Sequence, residues 1–299
     1  AEQGYTHAVA MDLSKYFDTL NHEILLNILR RNVKDERVIQ WIKRYLKSGV
    51  MENGVVMETE EGSPQGGNLS PLLANIYLNE FDQEYQKRGV IFVRYADDIV
   101  LLAKSDRAAK RLLETSMKYL EGTLKLKVNQ EKSRVVSVFA IRNFKFLGFT
   151  LGKNGKGIYV RVHGKSWEKM KSKLKDLSSR RSVQSIRPAL AKIKVYMRGW
   201  LNYYGIADMK KRIDELNKWL YHRIRMCIWK QWKKPKTRVK NLRKMGVPED
   251  LAWQAGNSRR GYWFTTHTVA VNLAMTKERL ISSGFYDLAA AYQSVHVNC

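Results

Sequence analysis

Two adjacent aspartates, Asp97 and Asp98, are the residues of this chain whose type and spacing most clearly suggest chemistry. They lie between apolar runs at residues 90–93 and 99–102, and short runs rich in β-branched and aromatic residues predict strands. A β-hairpin with two carboxylates at its tip is therefore expected. Because adjacent carboxylates repel each other unless a cation neutralises them, and oxygen ligands suit Mg²⁺, the pair suggests a metal site for phosphoryl transfer. Asp is also common in turns, so an ordinary acidic turn is the alternative.

Two other segments have features that would complete such a site. The apolar run at residues 8–11 ends in Asp12, which is either a metal ligand at the end of a strand or an ordinary turn or cap residue. Residues 62–71 are rich in glycine, which lets the backbone approach a ligand closely. The segment ends in Ser-Pro, which predicts an N-cap at Ser70 and a helix that stops near Gly89.

Positive charge is concentrated in the second half of the chain. Residues 1–150 contain 22 Lys and Arg against 19 Asp and Glu, whereas residues 151–299 contain 32 against 9, so +23 of the net charge of +26 lies in the second half. Basic runs are usually solvated helix faces, but an excess this one-sided predicts a surface that binds nucleic-acid phosphates. Trp200 and Trp229 lie among these charges and belong either to a helix core or to a base-stacking surface.

The local patterns predict two kinds of architecture along the chain. Up to residue 162, short apolar runs alternate with amphipathic helices, two of which we expect Asn21 and Ser105 to cap. Beyond that point the pattern becomes helical, and the chain has three apolar stripes at helical spacing. These stripes begin at Trp167, Ile186 and Ile213. Three such helices bury their stripes against one another or against the preceding region, so an α+β region followed by a three-helix bundle is expected.

The two cysteines, Cys227 and Cys299, are isolated from each other and do not indicate a disulfide framework. The sequence shows no signal peptide pattern and no apolar run long enough to cross a membrane. These features predict a protein of a reducing cytoplasm without a membrane partner.

Five ordered segments resemble the motifs of reverse transcriptases, and specifically of the reverse transcriptase–maturases encoded by bacterial group II introns. Residues 12–18 resemble motif A, residues 63–77 motif B, residues 94–98 motif C, residues 126–132 motif D and residues 146–149 the primer-grip hairpin. Motif C has Ala96 where retroviral enzymes usually have Met. Farther along, residues 198–205 and 223–232 resemble the thumb or maturase region of this family.

The resemblance implies a fold and an activity. The fold would be α+β, with a right-hand polymerase palm of mixed helices and antiparallel strands at residues 1–162. An all-α three-helix thumb or maturase region would follow at residues 163–232, and a short helical, DNA-binding-like region at residues 233–299. The activity would be RNA-directed DNA polymerisation in the bacterial cytoplasm, with an RNA template, a DNA primer, deoxynucleoside triphosphates, group II intron RNA and target DNA as partners. A non-catalytic maturase fragment that binds intron RNA is the alternative.

The resemblance also carries catalytic roles onto matching residues. Asp12, Asp97 and Asp98, together with the Leu13 carbonyl, would hold two Mg²⁺ ions that activate the primer 3′-hydroxyl and bind the triphosphate. Lys132 would donate a proton to the leaving pyrophosphate, unless it is a surface lysine without a catalytic role.

Substrate contacts are implied in the same way. Tyr16, Phe17, Gln65 and Gly66 would bind the incoming nucleotide. The Phe17 ring would clash with a 2′-hydroxyl and so select deoxynucleotides, unless it is a core aromatic. The residues expected along the primer and template are Arg94, Tyr95, Leu147, Gly148, Arg198, Arg223, Arg225 and Lys230.

Regions outside the motifs carry further expectations. The family has a fingers region before motif A, and because this sequence opens shortly before motif A, we expect that region to be missing, with weaker nucleotide binding as the result. We also expect no endonuclease module. Residues 233–238 are predicted to be a basic linker. DNA contacts are expected beyond it, at Lys240, Arg243, Lys244, Arg259 and Arg260.

Overall fold

The structure of the chain is a computed structural model that describes residues 3–48, 50–52, 55–57, 61–64, 67–140, 143–155, 157–181 and 183–297. The chain forms two compact units, Ala1–Ile158 and Tyr159–Cys299. The regions predicted as thumb and C-terminal region both lie in the second unit.

The first unit is built on an antiparallel sheet. The strands of the chain are β1 (His7–Met11), β2 (Val50–Glu52), β3 (Val55–Met57), β4 (Phe92–Tyr95), β5 (Asp98–Ala103), β6 (Arg134–Ser137), β7 (Phe149–Asn154) and β8 (Gly157–Val162), which crosses the boundary between the units. Four of them form one sheet in the order β4-β5-β1-β6, and β2 pairs with β3. The predicted hairpin is confirmed, since β4 pairs with β5 and Tyr95 lies opposite Asp98.

Helices cover this sheet, and their first turns mostly follow the sequence signals. The helices are α1 (His22–Asn32), α2 (Glu36–Lys47), α3 (Ser70–Lys87) and α4 (Asp106–Gly122). The predicted caps are confirmed, because the Asn21 side chain accepts a hydrogen bond from the Ile24 amide and the Ser105 side chain accepts one from the Ala108 amide. The cap predicted at Ser70 is wrong: α3 already includes Ser70, whose hydroxyl donates to the Pro64 carbonyl at 2.8 Å and so holds the preceding loop.

Helix α3 is fixed in the core of the first unit. Its Tyr77, Phe81 and Tyr85 side chains are fully buried and belong to the same cluster as Leu25 of α1 and Leu101 of β5. Burying a large apolar side chain stabilises a fold by roughly 1.5–3 kcal/mol. The three buried aromatic rings therefore fix the position of α3 in the first unit.

The second unit is helical after the end of β8. Its helices are α5 (Gly164–Leu177), α6 (Ile186–Tyr204), α7 (Lys210–Gln231), α8 (Pro235–Lys244), α9 (Glu249–Asn257), α10 (Tyr262–Thr265), α11 (Val269–Ala274), α12 (Lys277–Ser282) and α13 (Leu288–Val297). The three predicted helices correspond to α5, α6 and α7, and their apolar stripes are buried. Trp200 and Trp229 are buried as well, which confirms the core interpretation for these two rings.

The linker predicted at residues 233–238 is wrong in its second part. Pro235 begins α8, a position that proline favours because its missing amide hydrogen would have no helical partner there. Helix α8 then packs on α9 through a cluster that includes Trp229, Leu242 and Ala252. None of the helices in the described part of the chain is both long enough and apolar enough to span a lipid bilayer.

Candidate active site

Three carboxylates lie at one edge of the first unit's sheet. Strand β1 ends at Met11, which pairs with Ile99 of β5. Asp12 follows Met11 and Asp98 precedes Ile99, so the two acids adjoin this pair, and they interact electrostatically. Asp97 precedes Asp98 in the β4–β5 turn. Sheet register therefore brings together acids that are about 85 residues apart in sequence.

These carboxylates interact electrostatically. Burial and the nearby charges of Asp97 and Asp12 raise the pKa of Asp98 above its ordinary value, and Lys145 offsets this only in part. Mutual repulsion of this kind is relieved by a bound cation. The edge of the sheet is thus a place where a divalent cation would be stabilised.

The segment that resembles motif D and the residue after it contact Asp12. The Asp12 amide donates to the Ser133 hydroxyl at 3.1 Å, and the Asn129 amide donates to the Asp12 carbonyl at 2.9 Å. The Lys132 ammonium lies 3.2 Å from Asp12 Oδ2. The structure therefore brings Lys132 to the carboxylates. Ser133 and Asn129 hold the Asp12 backbone through these hydrogen bonds. Nothing in the sequence predicted this role for them.

The donor set fits Mg²⁺ in its chemistry. Carboxylate oxygens are the hard ligands this ion prefers, and the Lys132 ammonium shows that Asp12 already attracts a cation. Among the residues that the structure describes, no three His, Cys, Asp or Glu side chains converge closely enough to enclose a metal by themselves. Mg²⁺ usually takes one or two carboxylates and completes its shell with water and substrate phosphates.

A cavity of about 640 Å³ adjoins Asp97, one of the three carboxylates. Its lining includes Asp97, the segment from Leu13 to Asp18 and the start of α3. Phe17 is half-buried and lines the cavity, and its carbonyl accepts a hydrogen bond from the Ser63 amide at 2.7 Å. This bond attaches the glycine-rich loop to the segment after Asp12.

The residues predicted to bind the nucleotide differ in how far they are exposed to the cavity. Tyr16 is buried, its hydroxyl donates to the Ala74 carbonyl at 2.5 Å, and burial raises the pKa of its phenol well above the ordinary value. The phenol hydroxyl is therefore held inside the protein, although Tyr16 and Phe17 both line the cavity. Gln65 and Gly66 lie outside the described residues.

Comparison with known proteins decides the family. The model of the reverse transcriptase (RNA-dependent DNA polymerase) family matches residues 1–151, which is half of the chain. This chain belongs to the reverse transcriptase family.

A second match and two relatives specify the type of reverse transcriptase. The model of the group II intron maturase-specific domain matches residues 167–246. Protein YkfC of Escherichia coli is 34% identical over 174 residues, covering 47% of this chain and 45% of that protein. The group II intron-encoded protein LtrA of Lactococcus lactis is 24% identical over 250 residues, covering 62% and 40%. The chain thus combines a domain of the reverse transcriptase family with a group II intron maturase-specific domain, and it spans less than half the length of these relatives.

Among solved structures, apo telomerase from Candida tropicalis resembles this reverse transcriptase with a TM-score of 0.45 and 13% identity. The match covers 87% of this chain and 53% of that one. At this level of similarity it adds nothing to the assignment.

The hairpin predicted as the primer grip has a tight two-residue turn. Phe146 and Phe149 exchange two backbone hydrogen bonds of 3.0 and 2.8 Å, and between them Leu147 and Gly148 both have positive φ angles of 50° and 84°. A turn with positive φ at both positions matches the right-handed twist of a hairpin. Tyr95, at the end of β4, is 64% exposed. A primer contact by Tyr95, Leu147 and Gly148 stays a prediction.

The basic residues predicted along primer and template fall into two groups. Arg198 is exposed on α6. Arg223 donates to Ser178 Oγ at 2.6 Å and to the Lys175 carbonyl, and Arg225 donates to the Met275 carbonyl and to Asn272.

Lys230 belongs with Arg223 and Arg225. It donates to the Arg180 carbonyl at 2.8 Å, so all three side chains connect α7 to other segments of the second unit. Burial also lowers the pKa of Arg223 and Arg225. The structure thus gives Arg223, Arg225 and Lys230 partners inside the protein, and a nucleic-acid contact of the exposed Arg198 stays a prediction.

Proposed function

We propose that this chain carries the catalytic centre of an RNA-directed DNA polymerase, which adds deoxynucleotides to a primer 3′-hydroxyl on an RNA template. The observation that carries the proposal is the meeting of Asp12, Asp97 and Asp98 at one edge of the sheet, beside a cavity lined by Phe17. Membership of the reverse transcriptase family supports it.

Asp12, Asp97 and Asp98, with the Leu13 carbonyl, would hold two Mg²⁺ ions. When bound, these ions supply the charge that lowers the pKa of the primer hydroxyl and neutralises the triphosphate. Lys132, whose Nζ lies 3.2 Å from Asp12 Oδ2, would donate a proton to the leaving pyrophosphate.

The cavity would hold the sugar and base of the incoming deoxynucleoside triphosphate. Its wall includes the Phe17 ring, and a hydroxyl on the sugar C2′ would meet that ring instead of a hydrogen-bond partner. The ring would clash with such a hydroxyl, so deoxynucleotides would be preferred.

The second unit would act as the maturase by binding group II intron RNA, and it would also contact the primer–template duplex. The match to the maturase-specific domain and the charge of +23 in residues 151–299 support this role. Target DNA contacts at Lys240, Arg243, Lys244, Arg259 and Arg260 and a place in the bacterial cytoplasm remain predictions.

Primer extension tests the catalytic part of the proposal. The wild-type chain, an RNA template, a DNA primer, Mg²⁺ and deoxynucleotides should give extended product. The double variant Asp97→Asn, Asp98→Asn should give none while it still binds the RNA. A matched control is Asp106→Asn, which removes an acid of the same unit that only pairs with Lys110 on the surface. Equal activity of the wild-type chain and the double variant would disprove the proposal.

The same variants separate the two functions. If neither protein extends a primer and both bind intron RNA with equal affinity, the chain is a maturase without polymerase activity. If the double variant also loses RNA binding, the two aspartates support the fold and our site is wrong.

A further inference from the structure

The Arg94 guanidinium connects the catalytic turn to helix α3. Side chains alternate along a strand, and in β4 the half-buried Arg94 is on the same face as Phe92, whose ring packs against Phe81 of α3. Val93 and Tyr95 point to the opposite, exposed face. Arg94 is therefore directed at the buried helix and away from the face on which Tyr95 is available to a primer.

All three nitrogens of this guanidinium have protein partners. Nε and Nη2 donate to the two oxygens of Asp82 on α3, at 2.8 and 2.5 Å. Nη1 donates to Asn75 Oδ1 at 2.9 Å and to the Ala96 carbonyl at 3.0 Å. The side chain is only 11% exposed. A planar guanidinium can hold these three partners at once because its donors have fixed directions.

The anchoring partners are themselves held in place. The Asn75 side-chain amide donates to the Pro71 carbonyl at 3.0 Å, which turns its oxygen towards Arg94. Asp82 follows Phe81, one of the fully buried rings of α3. The guanidinium therefore holds the β4–β5 turn in a fixed position relative to the well-packed helix α3.

The turn needs such support. Ala96 has a φ of 53°, in the left-handed region that L-residues other than glycine rarely adopt. A residue keeps a conformation of this kind only where its surroundings hold it. The Ala96 carbonyl accepts the Arg94 hydrogen bond, and the next two residues are Asp97 and Asp98.

We propose that Arg94 is a positioning residue for polymerisation: it ties the Ala96 carbonyl to Asp82 and Asn75 of α3 and so fixes the direction of the Asp97 and Asp98 carboxylates. This replaces the primer or template contact predicted for Arg94. The inference rests on the proposed function in one respect, namely that Asp97 and Asp98 act in catalysis.

The test is the variant Arg94→Lys in the full chain. Lysine keeps the positive charge beside Asp82, but its single ammonium cannot reach both α3 and the turn in the same directions. We expect the kcat of primer extension to fall at least about tenfold, while the Kd for primer–template changes less than about twofold. We also expect amide hydrogen exchange in residues 96–99 to become at least about fivefold faster.

Arg88→Lys is the matched control. Arg88 forms a comparable pair with Glu84 near the end of α3, but it has no bond to the catalytic turn, so this variant should leave kcat and exchange unchanged. A second variant, Asn75→Ala, leaves the Arg94–Asp82 pair intact. It should lower kcat in the same way but less, and it decides the question if Arg94→Lys does not fold.

Three outcomes separate the explanations. An unchanged kcat with unchanged exchange in Arg94→Lys would overturn the proposal. A tenfold weaker primer–template Kd with unchanged kcat would also overturn it and restore the nucleic-acid contact. If the wild-type chain itself does not extend primers, the proposed function fails, and the exchange measurement still decides whether Arg94 holds the turn.

Discussion

The two units of this member of the reverse transcriptase family use several of their basic side chains differently. In the first unit, Arg side chains near α3 pair with carboxylates: Arg31 with Glu80, Arg88 with Glu84 and Arg94 with Asp82. In the second unit, Arg223, Arg225 and Lys230 donate instead to backbone carbonyls.

The difference follows from composition. Residues 151–299 have only 9 acids for 32 basic side chains, so most basic side chains there have no carboxylate to pair with, and neutral acceptors take that place for Arg223, Arg225 and Lys230. The net charge of the second unit therefore overstates the number of basic side chains that can contact phosphates, because some of these side chains are hydrogen-bonded inside the unit. In the first unit, positive and negative charges nearly balance. Its distinctive feature is a group of acids at the sheet edge, Asp12, Asp97 and Asp98, with fewer basic side chains beside them than carboxylates. The predictions below test this division of roles.

The largest expected effect is the loss of polymerisation when divalent cations are removed. With EDTA, primer extension should fall at least about a thousandfold, because the carboxylates of the first unit then repel each other and cannot bind the triphosphate. Binding of a single-stranded RNA, followed by fluorescence anisotropy, should change less than about threefold, since the basic second unit needs no metal. An equal loss of primer extension and of RNA binding would contradict the separate roles that we assign to the two units.

The second prediction separates structural cations from available ones. Arg225→Ala should lower the free energy of unfolding by about 2–4 kcal/mol, because it leaves the Met275 carbonyl and the Asn272 side chain without their donor in a buried place. Chemical denaturation followed by tryptophan fluorescence measures this, since Trp229 lies on the same helix. Arg198→Ala is the control and should change stability by less than about 0.5 kcal/mol. Equal stability of the two variants would contradict our assignment.

The third prediction concerns the cavity of the first unit. Phe17→Ala should reduce the preference for deoxynucleotides over ribonucleotides by about ten- to a hundredfold, the range for a single steric contact in a binding site. The ratio of kcat/KM for the two nucleotides is the measurement. Leu72→Ala, on the exposed face of α3, is the control. Reduced stability with an unchanged ratio would show that Phe17 is only a core aromatic.

A smaller effect is expected for one exposed cation of the second unit. The Arg198 guanidinium makes no hydrogen bond or ion pair with any other residue that the structure describes. If it contacts a phosphate, Arg198→Ala should reduce the slope of log K against log salt for RNA binding by about one. Titrations at several salt concentrations give this slope, and an unchanged slope would remove Arg198 from the nucleic-acid surface.

The smallest effect is a pH dependence of the second unit. Burial alone would raise the pKa of Asp287, but hydrogen bonds from Lys277 and Asn217 hold it below its ordinary value. A carboxyl with a lowered pKa stabilises the fold above its unfolded pKa of about 4 and loses that contribution as pH falls through the folded value. Stability should therefore decline below about pH 4. Denaturation at pH 6 and pH 3 should show a smaller decline for Asp287→Asn, and an equal decline would exclude this carboxyl as the cause.

The predictions from sequence succeeded where the signal is local. Apolar runs flanking Asp97 and Asp98 gave β4 and β5, stripes at helical spacing gave α5, α6 and α7, and Asn21 and Ser105 capped the expected helices. Strand alternation, helical period and caps depend on neighbours within a few residues, so a single sequence contains them. The cap at Ser70 failed because its hydroxyl bonds Pro64, a residue of the preceding loop, and not the amides of its own helix.

The sequence by itself determined the elements, the order of the motifs, the candidate acids and the uneven charge. Only the tertiary structure decided which charged groups face one another. It placed Asp12 beside Asp98, directed Arg94 at Asp82, and used Arg223, Arg225 and Lys230 to connect α7 to other segments of the second unit. The physical reason is that a basic side chain can reach a carboxylate, a carbonyl or a phosphate equally well. Which one it meets depends on the packing of segments that are distant along the chain.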